Sequence, residues 1–338
     1  MTSFIEAISY YLPETVLTNA ELAASFPDLK IDDLTRLTGV TSRHIAAEGE
    51  TSADMAASAA EKLFAEHKID RASIDFVLFN TQWSDYITPA SACIIQDRLG
   101  IPKQSGALDI SQGCTGFIYG LSLARGLVET GSARRVLLLT SDTITRSIHP
   151  QDRSNRAIFG DSAAATLISA SEESEGPCIG RFTFGTDGSG YQEIIIRHGG
   201  ARYPLTRFQE DDYTDSYGNI RNDACFYMNG AAIFSFSVKI VPEILSRTLE
   251  ANNLKLENID FFVFHQANQI ILETLIKKNK IPMEKTIIHL ENCGNTVSST
   301  IPIALYEAIE NGRIRKGHKV LLAGFGVGLS WAGTVVEF

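Results

Sequence analysis

The chain has 338 residues, 44% of them apolar, and a formal net charge of −10, so it can bury a large core and would repel a polyphosphate backbone. Apolar runs such as Val136 to Leu139 fall far short of the roughly 20 residues of a membrane span, and no basic, apolar leader opens the sequence; a cytoplasmic protein without a transmembrane helix is expected. Five scattered cysteines form neither a Cys-x-x-Cys pair nor a Cys/His cluster at zinc-ligand spacing, which argues against a disulfide framework and a structural metal.

Ile74-Asp75-Phe76-Val77-Leu78-Phe79 predicts a short buried strand. After it come a helical stretch, Ile101-Pro102, Gly113-Cys114-Thr115, and a segment from Glu129 to Val136 that leads into leucines. The same landmarks recur in order: Ile259-Asp260-Phe261-Phe262-Val263-Phe264 lies 185 residues later, followed by Ile281-Pro282, Gly294-Asn295-Thr296, and Glu310 to Val320. This order predicts two copies of one strand-helix-strand plan. Ser-Ala-Ser-Glu-Glu-Ser-Glu-Gly-Pro at 169–177 interrupts the apolar pattern and places the boundary there. The expected fold class is α/β, with pseudo-symmetric halves at residues 1–172 and 173–338. The acidic run Glu210 to Asp215 reads as a solvated loop, and no basic stripe with interleaved aromatics appears, so nucleic acid is not an expected partner.

Chemistry concentrates at matching edges of the repeat, where strand-end loops of α/β folds assemble sites. Cys114 precedes an apolar helix. Backbone N–H groups and the helix dipole there favour a thiolate and should lower the thiol pKa, suiting it to attack a thioester. The blander role, a small buried apolar residue, is the commoner fate of a lone cysteine, but flanking glycines that admit substrate favour the nucleophile. His265 leaves the second repeat strand, and with Asn295 offers two donors for a carbonyl oxygen as it becomes an enolate. Alone, His265 would read as a structural hydrogen bonder and Asn295 as a turn residue. Gly324-Phe325-Gly326-Val327-Gly328-Leu329 lacks the helix and lysine of a phosphate loop, so it reads as a tight turn that presents a backbone N–H to an oxyanion.

Together with Thr38-Gly39-Val40, Arg43-His44-Ile45, Asp152-Arg153 through Phe159-Gly160-Asp161, Met228-Asn229-Gly230 and His265-Gln266-Ala267-Asn268, these motifs run in one order over essentially the whole chain. In that order they resemble the β-ketoacyl-acyl-carrier-protein synthase III family of the thiolase superfamily. The resemblance implies a layered α-β-α-β-α fold, a homodimer, and no metal or redox cofactor. It makes Cys114 the acylated nucleophile, His265 and Asn295 the extender-binding pair, and the N–H groups of Cys114 and Val327 the oxyanion hole. Its reaction is a decarboxylating condensation of an acyl primer, delivered by coenzyme A or a carrier protein, with a malonyl-carrier protein.

Several positions depart from the pattern. Asp33 stands where housekeeping members carry a tryptophan that stacks on the coenzyme A adenine, which questions an ordinary coenzyme A donor. Arg153 is retained to hold a donor phosphate. Asn268 belongs to the substrate-binding set, but Ile270 replaces the arginine that docks the carrier, leaving Lys277 and Lys278 to meet it. Thr88 replaces a phenylalanine that closes the acyl tunnel, so a primer longer than acetyl is expected, and the surrounding segment resembles accessory, pathway-specific members. The homodimer is expected to cover an edge strand near Val136 to Leu139. Two other readings stay open: acyl transfer from Cys114 to an oxygen or nitrogen nucleophile, and a non-catalytic partner of another condensing subunit.

Overall fold

A computed structural model of the chain describes residues 2–26, 30–172, 176–209 and 211–338. The boundary expected between 172 and 173 adjoins 173–175 and lies outside the described residues, as does Glu210 of the acidic run.

Two mixed sheets are built on one order. In the first, Gly106–Ile110 pairs parallel with Phe76–Asn80, which pairs parallel with Arg135–Asp142; Ser162–Ser171 and then Thr2–Tyr11 follow antiparallel. In the second, Phe261–Phe264 runs parallel to Lys319–Gly326, and Ser330–Glu337 joins antiparallel, flanked by Cys178–Ile179 and Thr183–Thr186. A single parallel bridge from Phe262 to Thr286 stands where the first sheet has its edge strand.

The central strands are apolar over most of their length, as in Val136 to Leu139 and Val320 to Ala323, because helices cover both faces. Helices Gly116–Glu129 and Thr300–Glu310 fill the space between the sheets, where Phe117, Leu121 and Val128 share one core with Ile301, Leu305, Leu138 and Leu322. Helix Ser52–His67, opened by a Thr51/Asp54 capping box, covers the outside of the first sheet. Helices Gly230–Ala251 and Gln269–Lys278 cover the outside of the second. The result is the expected five-layer α-β-α-β-α arrangement.

Two sequence expectations fail at this level. Arg135–Asp142 is not an edge: it lies between two neighbours, and Val136 to Leu139 are at most 1% exposed. The edges of this sheet are Thr2–Tyr11 and Gly106–Ile110, and in the latter Leu108 is 47% exposed. Nor is the acidic run wholly a solvated loop, since Asp215 accepts from the backbone of Tyr217 and Asn219 and pairs with the nearly buried Arg221 at 3.3 Å.

Candidate active site

Cys114 lies one residue before Thr115, the residue that precedes helix Gly116–Glu129. Its chain comes very close to the hairpin between Lys319–Gly326 and Ser330–Glu337. A Cβ on Gly326 would stand 2.6 Å from the Cys114 sulfur, and one on Gly113 would stand 2.4 Å from Val327 Cγ1. Glycine at 326, with φ of +157°, is therefore what lets the two turns meet. A buried hydroxyl chain ties them together: Thr115 and Ser330 lie 2.9 Å apart, and Ser330 donates to the Val327 carbonyl at 2.8 Å.

Burial pushes the Cys114 thiol up to about 12. The backbone N–H of Val327 pulls it down, the nearby Asp142 pushes it further up, and the N–H of Cys114 itself pulls it down. The expected lowering by the helix end is thus overturned, because loss of solvation for the charged sulfur exceeds the help of N–H dipoles. The N–H of Val327 thus lies close enough to the sulfur to favour its charged form.

His265 is 2% exposed and follows strand Phe261–Phe264 directly. Its Nδ1 lies 2.8 Å from Thr300 Oγ1, and its ring meets Phe325 edge-on at 5.7 Å. Burial lowers its pKa to about 3, so the imidazole is neutral.

Asn295 is carried across from the second half by a backbone bridge to Phe159: its N–H donates to Ile158 at 2.9 Å, and its carbonyl accepts from Gly160 at 3.1 Å. Gly294, with φ of +69°, permits this, since a Cβ there would stand 2.5 Å from the Ile158 carbonyl. Val297 N–H donates to Asn295 Oδ1 at 3.0 Å, and the Asn295 NH₂ group donates to the Ala267 carbonyl at 3.3 Å, which orients the amide and leaves the NH₂ one further hydrogen to give.

Cys114, His265, Asn268, Asn295 and Val327 line one mostly apolar cavity of about 100 Å³. Asn268 also accepts from Ile271 N–H at 2.9 Å, capping helix Gln269–Lys278. The remaining expected residues lie elsewhere. Thr88 is on an exposed loop and does not line the cavity of its own chain, whose walls include Trp83, Phe159 and Phe226. Arg153 and Asp33 share a separate surface groove with Tyr217, whose carbonyl accepts from the Arg153 guanidinium. Lys277 and Lys278 are both exposed, and Lys278 also donates to the Val238 carbonyl at 2.7 Å.

Sequence reasoning missed Thr300, Trp83 and Asp142. Asp142 accepts from Gln82 N–H at 3.0 Å and from Ser298 N–H at 3.1 Å, tying the two halves beside the cavity. Its position at the end of a repeat strand was the one available signal. Several motif residues turn out to be structural. Arg43 is fully buried, donating to Asn19 and the Ala157 carbonyl, and Asp152 pairs with Arg221 at 2.7 Å.

The family description 3-oxoacyl-[acyl-carrier-protein] synthase III matches residues 108–188, and that of the C-terminal region of the same enzyme matches 249–338. A β-ketoacyl-[acyl-carrier-protein] synthase III of Clostridium perfringens is 34% identical over 97% of this chain and 96% of its own length. A crystal structure of a 3-oxoacyl-(acyl-carrier-protein) synthase III superposes with a TM-score of 0.98 at 48% identity, over the full length of both chains. The priming β-ketosynthase of the R1128 polyketide pathway superposes at 0.87 with 29% identity, over 100% of this chain and 96% of its own. The chain therefore belongs to the 3-oxoacyl-[acyl-carrier-protein] synthase III family.

Proposed function

We propose that this chain is an acyltransferase of the condensing type: it takes an acyl group onto Cys114 and joins it to the two-carbon unit left when a malonyl-carrier protein loses carbon dioxide. In the first half-reaction the Cys114 sulfur attacks the donor thioester, an S–C bond forms, and the donor thiol leaves with the proton that Cys114 gives up. The N–H groups of Cys114 and Val327 stabilise the tetrahedral oxyanion, each such donor being worth roughly 2.7–4 kcal/mol. In the second, decarboxylation leaves an enolate whose oxygen is held by His265 and Asn295. Its carbon attacks the acyl-cysteine, and the expelled thiolate takes a proton from solvent. No metal or redox cofactor enters these steps.

The observation that carries this reading is the convergence of one sulfur, two neutral side-chain donors and a backbone N–H on one apolar cavity. A neutral imidazole suits the second step, because a buried cation would hold the malonyl carboxylate rather than release it as carbon dioxide. The cavity is walled by Ile144, Phe159, Phe226 and Ile233, which supports an apolar acyl primer. Lys277 would meet an acidic carrier protein, Arg153 a donor phosphate, and the enzyme would work in the cytoplasm as a homodimer across the open edge Gly106–Ile110.

The deciding experiment incubates purified protein with a panel of acyl thioesters and malonyl-carrier protein, following intact mass and carbon dioxide. The expected result is an adduct at Cys114 and carbon dioxide release with a β-ketoacyl product. An adduct without carbon dioxide would replace condensation by plain acyl transfer, and no adduct with any donor would make the chain a silent partner.

A further inference from the structure

Cys114 packs against an apolar cluster that includes Ile144, Phe159, Ile194 and Phe226, so an apolar chain carried on its sulfur is best buried by running into that cluster. Trp83 and Ile196 pack against the same cluster. Beyond it lies a second cavity of about 300 Å³, to which Ser111, Ile195 and Ile196 contribute.

Gln82, Trp83, Ile194, Phe226 and Val327 line both cavities and so form the partition between them. Their freedom to move differs. Ile194 and Phe226 are buried, the first in a short strand paired with Met228 and the second edge-on to Phe159 at 5.2 Å. Val327 is fixed by its backbone role beside the Cys114 sulfur. Trp83 is only half-buried and lies outside regular structure, on the loop after Phe76–Asn80. Among the described residues its indole makes one hydrogen bond, Nε1 donating to Ser147 Oγ at 2.6 Å. Ser147 thereby fastens the wall twice, since its carbonyl also accepts from Phe226 N–H at 2.6 Å.

We infer that Trp83 is a specificity-determining residue that sets the longest acyl chain Cys114 can carry: its indole, pinned on Ser147, closes the catalytic cavity against the second one. The inference rests on the reading of Cys114 as the acyl carrier. An indole is broad, rigid and apolar, and turning it aside breaks its bond to Ser147. Saturated acyl groups that outgrow the first cavity are therefore the class it rejects. Removing the indole joins the cavities and admits them.

The test compares wild type, Trp83→Ala, Ser147→Ala and the double variant Trp83→Ala with Ile196→Trp, each full length. Saturated acyl groups from acetyl to myristoyl are supplied on coenzyme A and on acyl-carrier protein, and the rate of adduct formation at Cys114 is followed by intact mass. Wild type should show a sharp limit, its rate falling about tenfold or more once the chain meets the closed wall. Trp83→Ala should raise the ratio of loading just beyond that limit to loading just within it by at least about tenfold, the worth of one excluded methylene. Ser147→Ala, which leaves the indole in place but unpinned, should raise the ratio less. Ile196→Trp refills the second cavity, so the double variant should return to the wild-type limit. General damage to the fold would slow all lengths alike and would not be reversed by a second large side chain. If Trp83→Ala does not fold, Trp83→Leu takes its place in the comparison. A length profile unmoved by loss of the indole, or a wild type that loads every length equally, overturns the inference and leaves Cys114 as the acyl carrier. No adduct with any donor in any variant would sink the reading of Cys114, and this inference with it.

Discussion

At Cys114 and His265 the same low-dielectric surroundings act in opposite directions on pKa, since burial penalises the thiolate in one and the imidazolium in the other. Both groups rest neutral. For His265 this has a measurable sign. Its folded pKa, about 3, lies below the ordinary 6.5, so below pH 6.5 the unfolded chain binds a proton that the native state refuses. Its contribution to stability is present above pH 6.5 and is lost as pH falls towards 3. A His265→Asn variant should therefore lose less stability than wild type between pH 7 and pH 5, as read by urea midpoints at each pH. An equal loss in both proteins would show that this imidazole does not resist protonation. Sequence reasoning found both residues through their place in the repeat. It misjudged the direction of the Cys114 shift, because a helix start is visible in a sequence and the depth of burial at that start is not.

Among the elements, the hairpin after Lys319–Gly326 leaves no room for a side chain where it meets Cys114. It brings the Val327 N–H to the sulfur only because position 326 has no side chain. Gly326→Ala should load Cys114 at least about a hundredfold more slowly, the cost of one misplaced oxyanion donor, while the protein melts within a few degrees of wild type. Time-resolved intact mass and a thermal melt check the two parts, and normal loading would remove Val327 from the oxyanion hole. The glycine run marked this turn in the sequence. What it faces was not marked, since Cys114 and Gly326 are brought together by packing of the two sheets on the central helices. Thr88, expected to leave the acyl tunnel longer than a phenylalanine would, lies on an exposed loop and does not line the cavity of its own chain.

Across the whole molecule, the two halves meet at the cavity through polar links as well as the shared apolar core. Asp142, at the end of a first-sheet strand, accepts N–H donors from Gln82 in its own half and from Ser298 in the other, and also takes the Ser298 hydroxyl. Asparagine would turn an NH₂ group towards one set of donors. Asp142→Asn should lower stability by about 1–3 kcal/mol through unsatisfied buried groups and slow condensation more than loading, since Ser298 belongs to the turn that holds Asn295 and Thr300. Urea unfolding and the two half-reactions measure this, and an unaltered midpoint would deny the link its structural weight. Arg43 carries a similar lesson: a motif residue, it acts by holding loops around Asn19 and Ala157 rather than by touching the cavity.

The duplicated α/β plan, the strands at Phe76–Asn80 and Phe261–Phe264, and the candidates Cys114, His265 and Asn295 were all determined by the sequence, because hydrophobic periodicity and repeated landmarks are local records of what must be buried. Tertiary structure alone decided that Gly106–Ile110 rather than Arg135–Asp142 is a sheet edge, that Thr300 sits behind His265, and that Asp142 joins the halves. These depend on contacts between residues distant in sequence, as with Thr300 and His265, 35 positions apart. No periodicity encodes such a contact, which comes into being only when the layers pack.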